Sequence, residues 1–267
     1  MSWNTDDKAR ELRATILKMI HQAKSGHPGG SFSVLDIIMT LFADVVRHDS
    51  KNPTWEDRDR MVLSKGHGVP ALYAVLAEAG YFPKDWLMTL RNIGSPLQGH
   101  PDRVRLPASE AATGSLGQGM SIAQGMALAC QLDKRDSRVF CVIGDGESQE
   151  GQVWECAMSA PKFKLDNFTV ILDYNHGQID GRSDDVMSLE PVLDKWRAFN
   201  WNVLEVDGHD REALRKTLVQ KQSDKPTFIC AHTVKGKGVS FMEGGIEWHG
   251  AAPNDEQLEK ALKELGA

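Results

Sequence analysis

The feature that most constrains the fold is a pair of short apolar runs that each end abruptly in polar residues and glycine. The first covers residues 139–144 and the second residues 168–173. Runs of this length and composition are typical of buried strands, and residues 149–162 between them have the apolar spacing of a helix. A strand, a helix and a second strand predict a βαβ unit with parallel strands. The fold class is therefore predicted to be α/β, with a mainly parallel sheet and helices on both faces.

The residues that follow these two strands predict a metal site. Parallel strands end at the same edge of a sheet, so Asp145 and Asn175 are expected to lie side by side there. Carboxylate and amide oxygens suit a magnesium or calcium ion that keeps phosphate oxygens as further ligands. Gly144 and Gly146 would let the backbone approach a bulky anion. A bare Gly-Asp-Gly is more often a simple turn, but this context favours a divalent metal ion that holds a diphosphate.

The rest of the chain extends the α/β pattern without an internal repeat or linker, and residues 1–267 are read as a single domain. The glycine- and proline-rich segment 25–30 is not expected to form the interior of a helix or strand. Residues 34–46 are expected to form a helix buried against the sheet or against a second subunit. Further strands are predicted at residues 60–64, 202–206 and 227–231, and further helices at 7–24, 70–79, 121–129, 210–222 and 255–265.

Several loops carry residues that could do chemistry. Histidines occur in glycine- or proline-containing loops, although a lone loop histidine is more often a surface residue and the sequence does not show that these converge. The glycine-rich segment 114–119 precedes a helix and could seat an anion on exposed N–H groups, or it could serve a close helix–helix contact. Lys235 follows a predicted strand and could bring a cation to the same sheet edge. The four loop histidines are His27, His67, His100 and His249.

Composition and charge exclude several function classes. The chain has 31 Lys and Arg against 37 Asp and Glu, and no basic block that would indicate nucleic-acid binding. The four cysteines have neither metal nor disulfide spacing and are expected to be buried, reduced thiols of a cytoplasmic protein. The first residues lack the features of a signal peptide. The longest apolar stretch, residues 34–46, is too short to cross a membrane.

The motifs together identify a family resemblance. Gly144-Asp145-Gly146, followed after one βαβ unit by Asn175, resembles the thiamine-diphosphate-binding motif of transketolases. The similarity runs from about Leu12 to His249 and includes successive loops in the same order. These segments are Ser25-Gly26-His27-Pro28-Gly29, Ser64-Lys65-Gly66-His67, Gly99-His100-Pro101, Gly114-Ser115-Leu116-Gly117-Gln118-Gly119, Gly144-Asp145-Gly146-Glu147 with Glu150-Gly151, and Trp248-His249-Gly250.

The resemblance implies a thiamine-diphosphate-binding fold of the type that holds the diphosphate, and it implies roles for individual residues. Thiamine diphosphate would bind with Mg²⁺, or with Ca²⁺ or Mn²⁺. At position 177, relatives commonly carry a larger apolar residue than this glycine. The implied metal ligands are Asp145, the Asn175 side chain and the Gly177 carbonyl. The implied cofactor contacts are His67, Gly114, Leu116, Gly146, Glu147, Asn175 and Lys235, and the implied catalytic residues are His27, His100, His249 and Glu150.

The resemblance also implies a reaction and a partner. Transketolases move a two-carbon ketol unit from a ketose to an aldose, commonly as sugar phosphates of the pentose phosphate pathway. In the family, a second domain carries the glutamate that activates the aminopyrimidine, and this sequence ends before such a domain. The expectation is a separate carboxy-terminal transketolase subunit, with two copies of each chain in an α2β2 assembly. The alternatives are a related transferase for unusual sugars and a non-catalytic cofactor-binding or regulatory partner. Retention of all four loop histidines argues against the second alternative.

Overall fold

A parallel sheet forms the centre of the protein in the computed structural model, which describes residues 3–267. Within these residues the sheet has five strands in the order β1-β2-β3-β7-β6. Gly144 pairs with Asp173, so the chain leaves β2 and β3 at the same edge. A small antiparallel hairpin, β4 and β5, follows β3. In chain order the strands are β1 Arg60–Leu63, β2 Val139–Gly144, β3 Phe168–Tyr174, β4 Gly177–Gln178, β5 Gly181–Arg182, β6 Asn202–Asp207 and β7 Thr227–His232.

Helices cover both faces of the sheet, which confirms the predicted fold class. One apolar core joins one face, with Val142 and Ile171, to helices α1, α2, α3, α8 and α9. A second core joins the other face, with Cys141 and Val170, to α4, α5 and α7. The helices are α1 Asp6–Ala23, α2 Pro28–Thr40, α3 Val69–Glu78, α4 Gln118–Leu132, α5 Gly151–Lys162, α6 Ser183–Met187, α7 Val192–Ala198, α8 Arg211–Leu218 and α9 Asp255–Leu265.

Helix α2 corrects one sequence-based prediction. The helix was expected to begin at residue 34, but Pro28, Gly29 and Gly30 form its first turn. Proline is well suited to this turn, because its missing N–H would have no partner inside the helix. Glycine at position 29 permits close packing, since a Cβ there would lie 2.9 Å from the Trp248 carbonyl oxygen. The prediction failed because these residues, which break a helix interior, are tolerated at a helix start.

The apolar segment that begins with α2 belongs to the interior of this chain. Every residue of α2 is buried, and a π-helical turn, Leu41–Val45, extends it. The segment Pro28–Val45 is long and apolar enough to cross a membrane by length and composition alone, yet 89% of it is buried inside the protein. That burial is typical of a core helix. Of the two expectations for this segment, burial within the chain is the one observed, and its side chains are already covered without a second subunit.

The boundaries of the other helices and strands show which elements the sequence pattern predicts accurately. The five strands of the main sheet agree with the prediction to within a residue, and helix α9 agrees at both ends. Helix α4 is longer than predicted and begins directly after Gly117, whose φ of 82° marks the end of the preceding loop. The β4–β5 hairpin, α6 and α7 were not predicted. All four cysteines are buried and free, as expected.

Candidate active site

A cavity of about 320 Å³ opens at the carboxyl edge of the sheet, where β2 and β3 end. This is the edge at which open α/β sheets bind ligands. The cavity brings together segments that are far apart in the sequence, and most of the predicted site residues line it. Its walls are formed by Lys65, His67, Leu116, Gly144, Asp145, Gly146, Glu147, Gln149, Glu150, Asn175, Gly177, Gln178, Ile179, Lys235 and His249.

Asp145 has the features of a metal ligand. Its carboxylate is 2% exposed, and its Oδ2 accepts a hydrogen bond of 3.1 Å from the backbone N–H of Asn175. Its Oδ1 has no hydrogen-bond partner among residues 3–267. Burial, followed by the nearby charge of Asp173, raises the pKa of Asp145 to about 7. A buried carboxylate oxygen without a partner is costly, and a bound cation would satisfy it.

Asn175 and Gly177 supply the other oxygen atoms suited to a cation. The Oδ1 of Asn175 accepts from Gly177 N–H at 3.1 Å, while its Nδ2 donates to Ser33 Oγ at 3.2 Å. These contacts fix which way the amide points. A Cβ at position 177 would lie 3.0 Å from Lys235 Cδ, so glycine accommodates the neighbouring lysine. The donor set, carboxylate and amide oxygens, fits a hard divalent ion.

The predicted metal ligands do not form a cluster of histidine, cysteine and acidic side chains. Residues 3–267 contain no group of three or more such side chains that could hold a metal ion. Two of the three predicted ligands are instead an amide oxygen and a backbone carbonyl. Asp145 lies beside Asn175, and the ligand set stays a prediction that rests on this contact and on the open Oδ1.

A buried ion pair below the cavity was missed by sequence reasoning. Lys65 is 1% exposed and donates to Asp173 at the end of β3. Asp173 also accepts from the hydroxyls of Ser33 and Thr233. Burial raises the pKa of Asp173, but the charge of Lys65 and these hydrogen bonds more than offset it, and the net shift is downward. Asp173 is therefore a carboxylate at neutral pH, and its contacts with Lys65 and Thr233 join the ends of three strands below the cavity.

The four loop histidines converge beside the cavity. Ring centroids of His27, His67 and His249 lie 5.2 to 5.5 Å apart, and His100 lies 6.5 Å from His27. Burial is the main cause of a lowered pKa at each ring, reinforced by nearby cations such as Arg91. The pKa falls to about 4 for His27 and to about 3 for His249. These neutral rings can donate and accept hydrogen bonds at physiological pH.

Lys235 provides the cation expected at this edge. It is 2% exposed, and its Nζ lies 3.0 Å from Nδ1 of His249. Burial and the charge of Lys65 lower the pKa of Lys235 to about 8. Two lysines and Asp145 thus line the cavity, and Asp173 lies below it. An incoming anion would relieve the repulsion between the lysines, and a diphosphate has the required charge.

Glu147 lines the cavity and also makes hydrogen bonds within the chain that the sequence did not predict. Its carboxylate is 2% exposed and accepts from Gly117 N–H at 2.9 Å, from Gly144 N–H at 3.1 Å and from the Ser64 hydroxyl. An internal carboxylate thus already accepts from the backbone N–H of Gly117, the residue directly before α4. Burial raises the pKa of Glu147 despite these bonds. Contact between Glu147 and a cofactor stays a prediction.

The other predicted residues divide between the cavity wall and a layer behind it. Leu116, Gly146 and Glu150 line the cavity. Gly114 lies behind the wall and against His100, whose Cδ2 would be 3.2 Å from a Cβ at that position. Sequence reasoning also missed Gln178, which lines the cavity and whose Nε2 has no partner among the described residues.

Comparison with known proteins decides the family. The sequence matches the family described as "Transketolase, thiamine diphosphate binding domain" over residues 5–267. The chain belongs to the transketolase family. The recognition made from the sequence motifs is therefore confirmed, and the observed sheet is that of a transketolase amino-terminal domain.

Two related transketolase subunits match the chain along nearly their whole length. A protein of Clostridium sp. (strain MSTE9), described as "6-deoxy-6-sulfo-D-fructose transketolase subunit SqwG", is 44% identical over 97% of this chain and 94% of its own. A protein of Phocaeicola vulgatus, named as one subunit of an apulose-4-phosphate transketolase, is 42% identical over 97% of this chain and 92% of its own.

Longer transketolases match over a smaller part of their length. The transketolase of Homo sapiens is 40% identical over 97% of this chain but only 41% of its own. The crystal structure of transketolase from Campylobacter jejuni superimposes with a TM-score of 0.92 and 36% identity, covering 98% of this chain and 42% of that one. The chain therefore spans about two fifths of the length of these longer transketolases.

Proposed function

We propose that this chain is the diphosphate-binding subunit of a two-chain transketolase, which transfers a two-carbon ketol unit from a ketose to an aldose. The single observation that carries the proposal is the open Oδ1 of buried Asp145, next to Asn175, in a cavity that also contains Lys235 and His249. This arrangement can hold a metal-bound diphosphate at the sheet edge. Family membership makes thiamine diphosphate the matching cofactor.

The metal part of the proposal assigns Asp145, Asn175 and Gly177 as ligands. Asp145 contributes its unpartnered Oδ1, Asn175 its amide oxygen and Gly177 its backbone carbonyl. Mg²⁺ is the first choice, since it binds a few protein oxygens and keeps phosphate oxygens as further ligands. Ca²⁺ or Mn²⁺ would suit the same donors.

The residues around this ion divide into cofactor contacts and proton-handling groups. His67, Gly146 and Lys235 lie where they can contact the diphosphate, and Leu116 also lines the cavity. When bound, thiamine diphosphate supplies the electron sink that carbon–carbon cleavage requires. The neutral ring of His249 can orient a sugar hydroxyl and accept or return a proton at its free nitrogen.

His27, His100 and Glu150 complete the proposed catalytic set. His27 packs against the rings of both His67 and His249, and its buried Nδ1 has no partner among residues 3–267. An imidazole in this position can take a hydrogen bond from a substrate hydroxyl. Glu150 lines the cavity, next to the start of α5.

The lengths of the relatives support a separate partner chain. Relatives whose names include "subunit" match this chain over 94% and 92% of their own lengths, whereas the human transketolase matches over 41%. The partner would be a carboxy-terminal transketolase subunit, and two copies of each chain would form the assembly. A cytoplasmic location belongs to the proposal, and four buried free cysteines agree with it.

The donor and acceptor sugars have two candidates. The first is the sugar phosphates of the pentose phosphate pathway, because the human transketolase is among the relatives. The second is an unusual sugar. It is favoured by two relatives named for 6-deoxy-6-sulfo-D-fructose and for apulose 4-phosphate, which are 44% and 42% identical to this chain.

The test is a reconstitution with a panel of donors. The chain would be purified alone and together with a candidate carboxy-terminal subunit, then given Mg²⁺ and thiamine diphosphate. We expect turnover of xylulose 5-phosphate, fructose 6-phosphate or 6-deoxy-6-sulfo-D-fructose only when both chains are present, and the preferred donor decides between the two substrate candidates. Robust ketol transfer by this chain alone would overturn the two-chain proposal.

A further inference from the structure

His209 connects a buried carboxylate to the loop that carries Lys235. Its Nδ1 lies 2.8 Å from Asp36 Oδ2, and its Nε2 lies 2.9 Å from the backbone nitrogen of Val234. A backbone N–H can only donate, so Nε2 must be the unprotonated acceptor and Nδ1 must carry the proton. The two contacts therefore hold the ring in one tautomer and one orientation.

Asp36 is a fixed anchor for this ring. It is 1% exposed on α2 and forms ion pairs with Arg13 of α1 at 2.6 Å and Arg211 of α8 at 2.8 Å. Burial raises the pKa of Asp36, but the hydrogen bond from His209 and the charge of Arg13 outweigh it and hold the pKa well below its usual range. The anchor is a carboxylate at neutral pH, held in a contact that joins three helices.

The loop after β7 is held mainly by hydrogen bonds between backbone groups. Thr233 N–H donates to the Tyr174 carbonyl at 3.0 Å, Gly236 N–H donates to the Gly29 carbonyl at 3.1 Å, and the Lys235 carbonyl accepts from Gly244 N–H at 2.8 Å. The Val234 N–H differs from these groups, because its partner is a side chain. A substitution at position 209 can thus release one point of this loop and leave the backbone contacts in place.

The turn that carries His209 packs tightly on the same loop. Gly208 donates to the His232 carbonyl at 2.7 Å, and a Cβ at position 208 would lie 2.3 Å from Thr233 Cγ2. Only glycine permits this approach of the ends of β6 and β7. The imidazole is therefore held at a constant distance from Val234.

We propose that His209 is a positioning residue for Lys235: by holding the Val234 N–H, it directs the Lys235 ammonium into the cofactor cavity. Lys235 has little room to compensate for a backbone shift, since the residue is 2% exposed and its Nζ contacts His249. The inference rests on the proposed function, because it concerns the same cavity. His209 itself does not line that cavity.

The test compares His209→Gln with His209→Asn. Glutamine places a carbonyl oxygen near the position of Nε2 and can still accept from Val234, whereas asparagine can reach Asp36 but is too short for Val234. In the cofactor-free chain, the hydrogen-exchange rate of residues 233–237 should rise about fivefold or more in the asparagine variant, because one hydrogen bond is lost. Glutamine should restore protection. His232→Asn substitutes an exposed histidine and serves as the control. It should leave the hydrogen exchange of this segment unchanged.

Cofactor binding provides the second readout, with the partner subunit present. By calorimetry with Mg²⁺, His209→Asn should weaken thiamine diphosphate binding about five- to tenfold, while His209→Gln stays near wild type. If His209 acts through Lys235, the double variant with Lys235→Met binds no more weakly than Lys235→Met alone. Losses that multiply, or equal behaviour of the glutamine and asparagine variants, would overturn the inference.

The two proposals fail in distinguishable ways. If the wild-type assembly does not bind thiamine diphosphate, the proposed function is wrong, and the exchange experiment still measures the contact between His209 and Val234. If the wild type binds the cofactor and His209→Asn behaves like it in both experiments, only the positioning role is wrong.

Discussion

Asp145 is the residue on which the metal assignment depends most directly. Asp145→Asn keeps the size of the side chain but removes the charge that would bind the ion. We expect Mg²⁺-dependent binding of thiamine diphosphate to disappear while the fold is retained, because a neutral amide cannot replace the carboxylate at a divalent ion. Titration calorimetry on the assembled enzyme measures this. Asp180→Asn, at an exposed position on the β4–β5 hairpin, is the control, and unchanged affinity in Asp145→Asn would remove the metal assignment.

The histidines separate by role at the same scale. His249→Ala and His100→Ala should lower ketol transfer by about 10²–10⁴-fold, as is typical for acid–base groups, with a smaller effect on cofactor affinity. His67→Ala should mainly weaken cofactor binding, because His67 lines the cavity and is the histidine proposed to contact the diphosphate. Steady-state kinetics and calorimetry together distinguish the two effects. If all three variants lost only cofactor affinity, the division of roles would be wrong.

Two of these histidines also predict a pH dependence of stability. The folded-state pKa values of about 4 for His27 and about 3 for His249 lie below the ordinary value of 6.5. Between pH 6.5 and about 4 the unfolded chain therefore binds more protons, so the free energy of unfolding falls as the pH is lowered. Each ring is partly exposed and contributes less than about 1.4 kcal/mol per pH unit.

Urea unfolding of the cofactor-free chain at several pH values measures this dependence. The double variant His27→Asn with His249→Asn should lose less stability than wild type between pH 6.5 and 5. Equal pH dependence in the two proteins would contradict the buried, neutral state of these rings.

For individual residues, the sequence predicts the positions of those that directly follow a strand. Asp145 and Asn175 could be paired because both follow adjacent parallel strands. The buried pair of Lys65 and Asp173 could not be predicted, since lysine is rarely buried and the pattern does not show which carboxylate would meet it. The hydrogen bonds that Glu147 accepts within the chain could not be predicted for a similar reason, because their donors come from three separate segments.

At the scale of one element, two glycines of helix α4 test how closely this helix packs on the end of β1. A Cβ on Gly119 would lie 2.7 Å from the Cα of Ser64, whereas a Cβ on Gly125 of the same helix would meet nothing within 4 Å. Gly119→Ala should destabilise the chain by about 1–3 kcal/mol or more, because the end of β1 would have to move. Gly125→Ala should be neutral or stabilise by up to about 1 kcal/mol, because alanine favours a helix.

Thermal and urea unfolding of these two alanine variants give the comparison. Equal stabilities would mean that α4 does not pack on β1 as closely as described. A Gly119→Ala variant that unfolds while Gly125→Ala does not would support the close approach.

The accuracy of the element predictions follows how clearly the residue pattern marks each element. Strands such as β2 and β3 are buried on both sides, so a continuous apolar run marks them clearly. The hairpin of β4 and β5 has two residues per strand, which is too short to show a period. Helix α2 was placed too far along the chain, because its first turn consists of residues usually read as a loop.

At the scale of the whole molecule, the proposed assembly has a composition that can be measured by its mass. If the proposal of two copies of each chain is right, native mass spectrometry of the mixture should show a species with two copies of this chain and two of the partner. Closed two-fold assemblies are the commonest arrangement. Apolar side chains remain exposed on α4 and α5, with Leu132 at 74% and Met158 at 64%, and such a surface suits a subunit contact. A single copy of each chain at micromolar concentration would contradict the α2β2 arrangement.

The carboxylate of Glu147 bears on how the protein acquires its cofactor. Its hydrogen bonds with Gly117 and Gly144, like the ion pair of Lys65 with Asp173, are made within the chain, so these parts of the site do not need a cofactor to hold them together. Removal of the cofactor by dialysis should therefore leave a preformed binding site rather than a collapsed one. Refilling would then proceed at the pace of diffusion and docking, without a slow rearrangement of the chain.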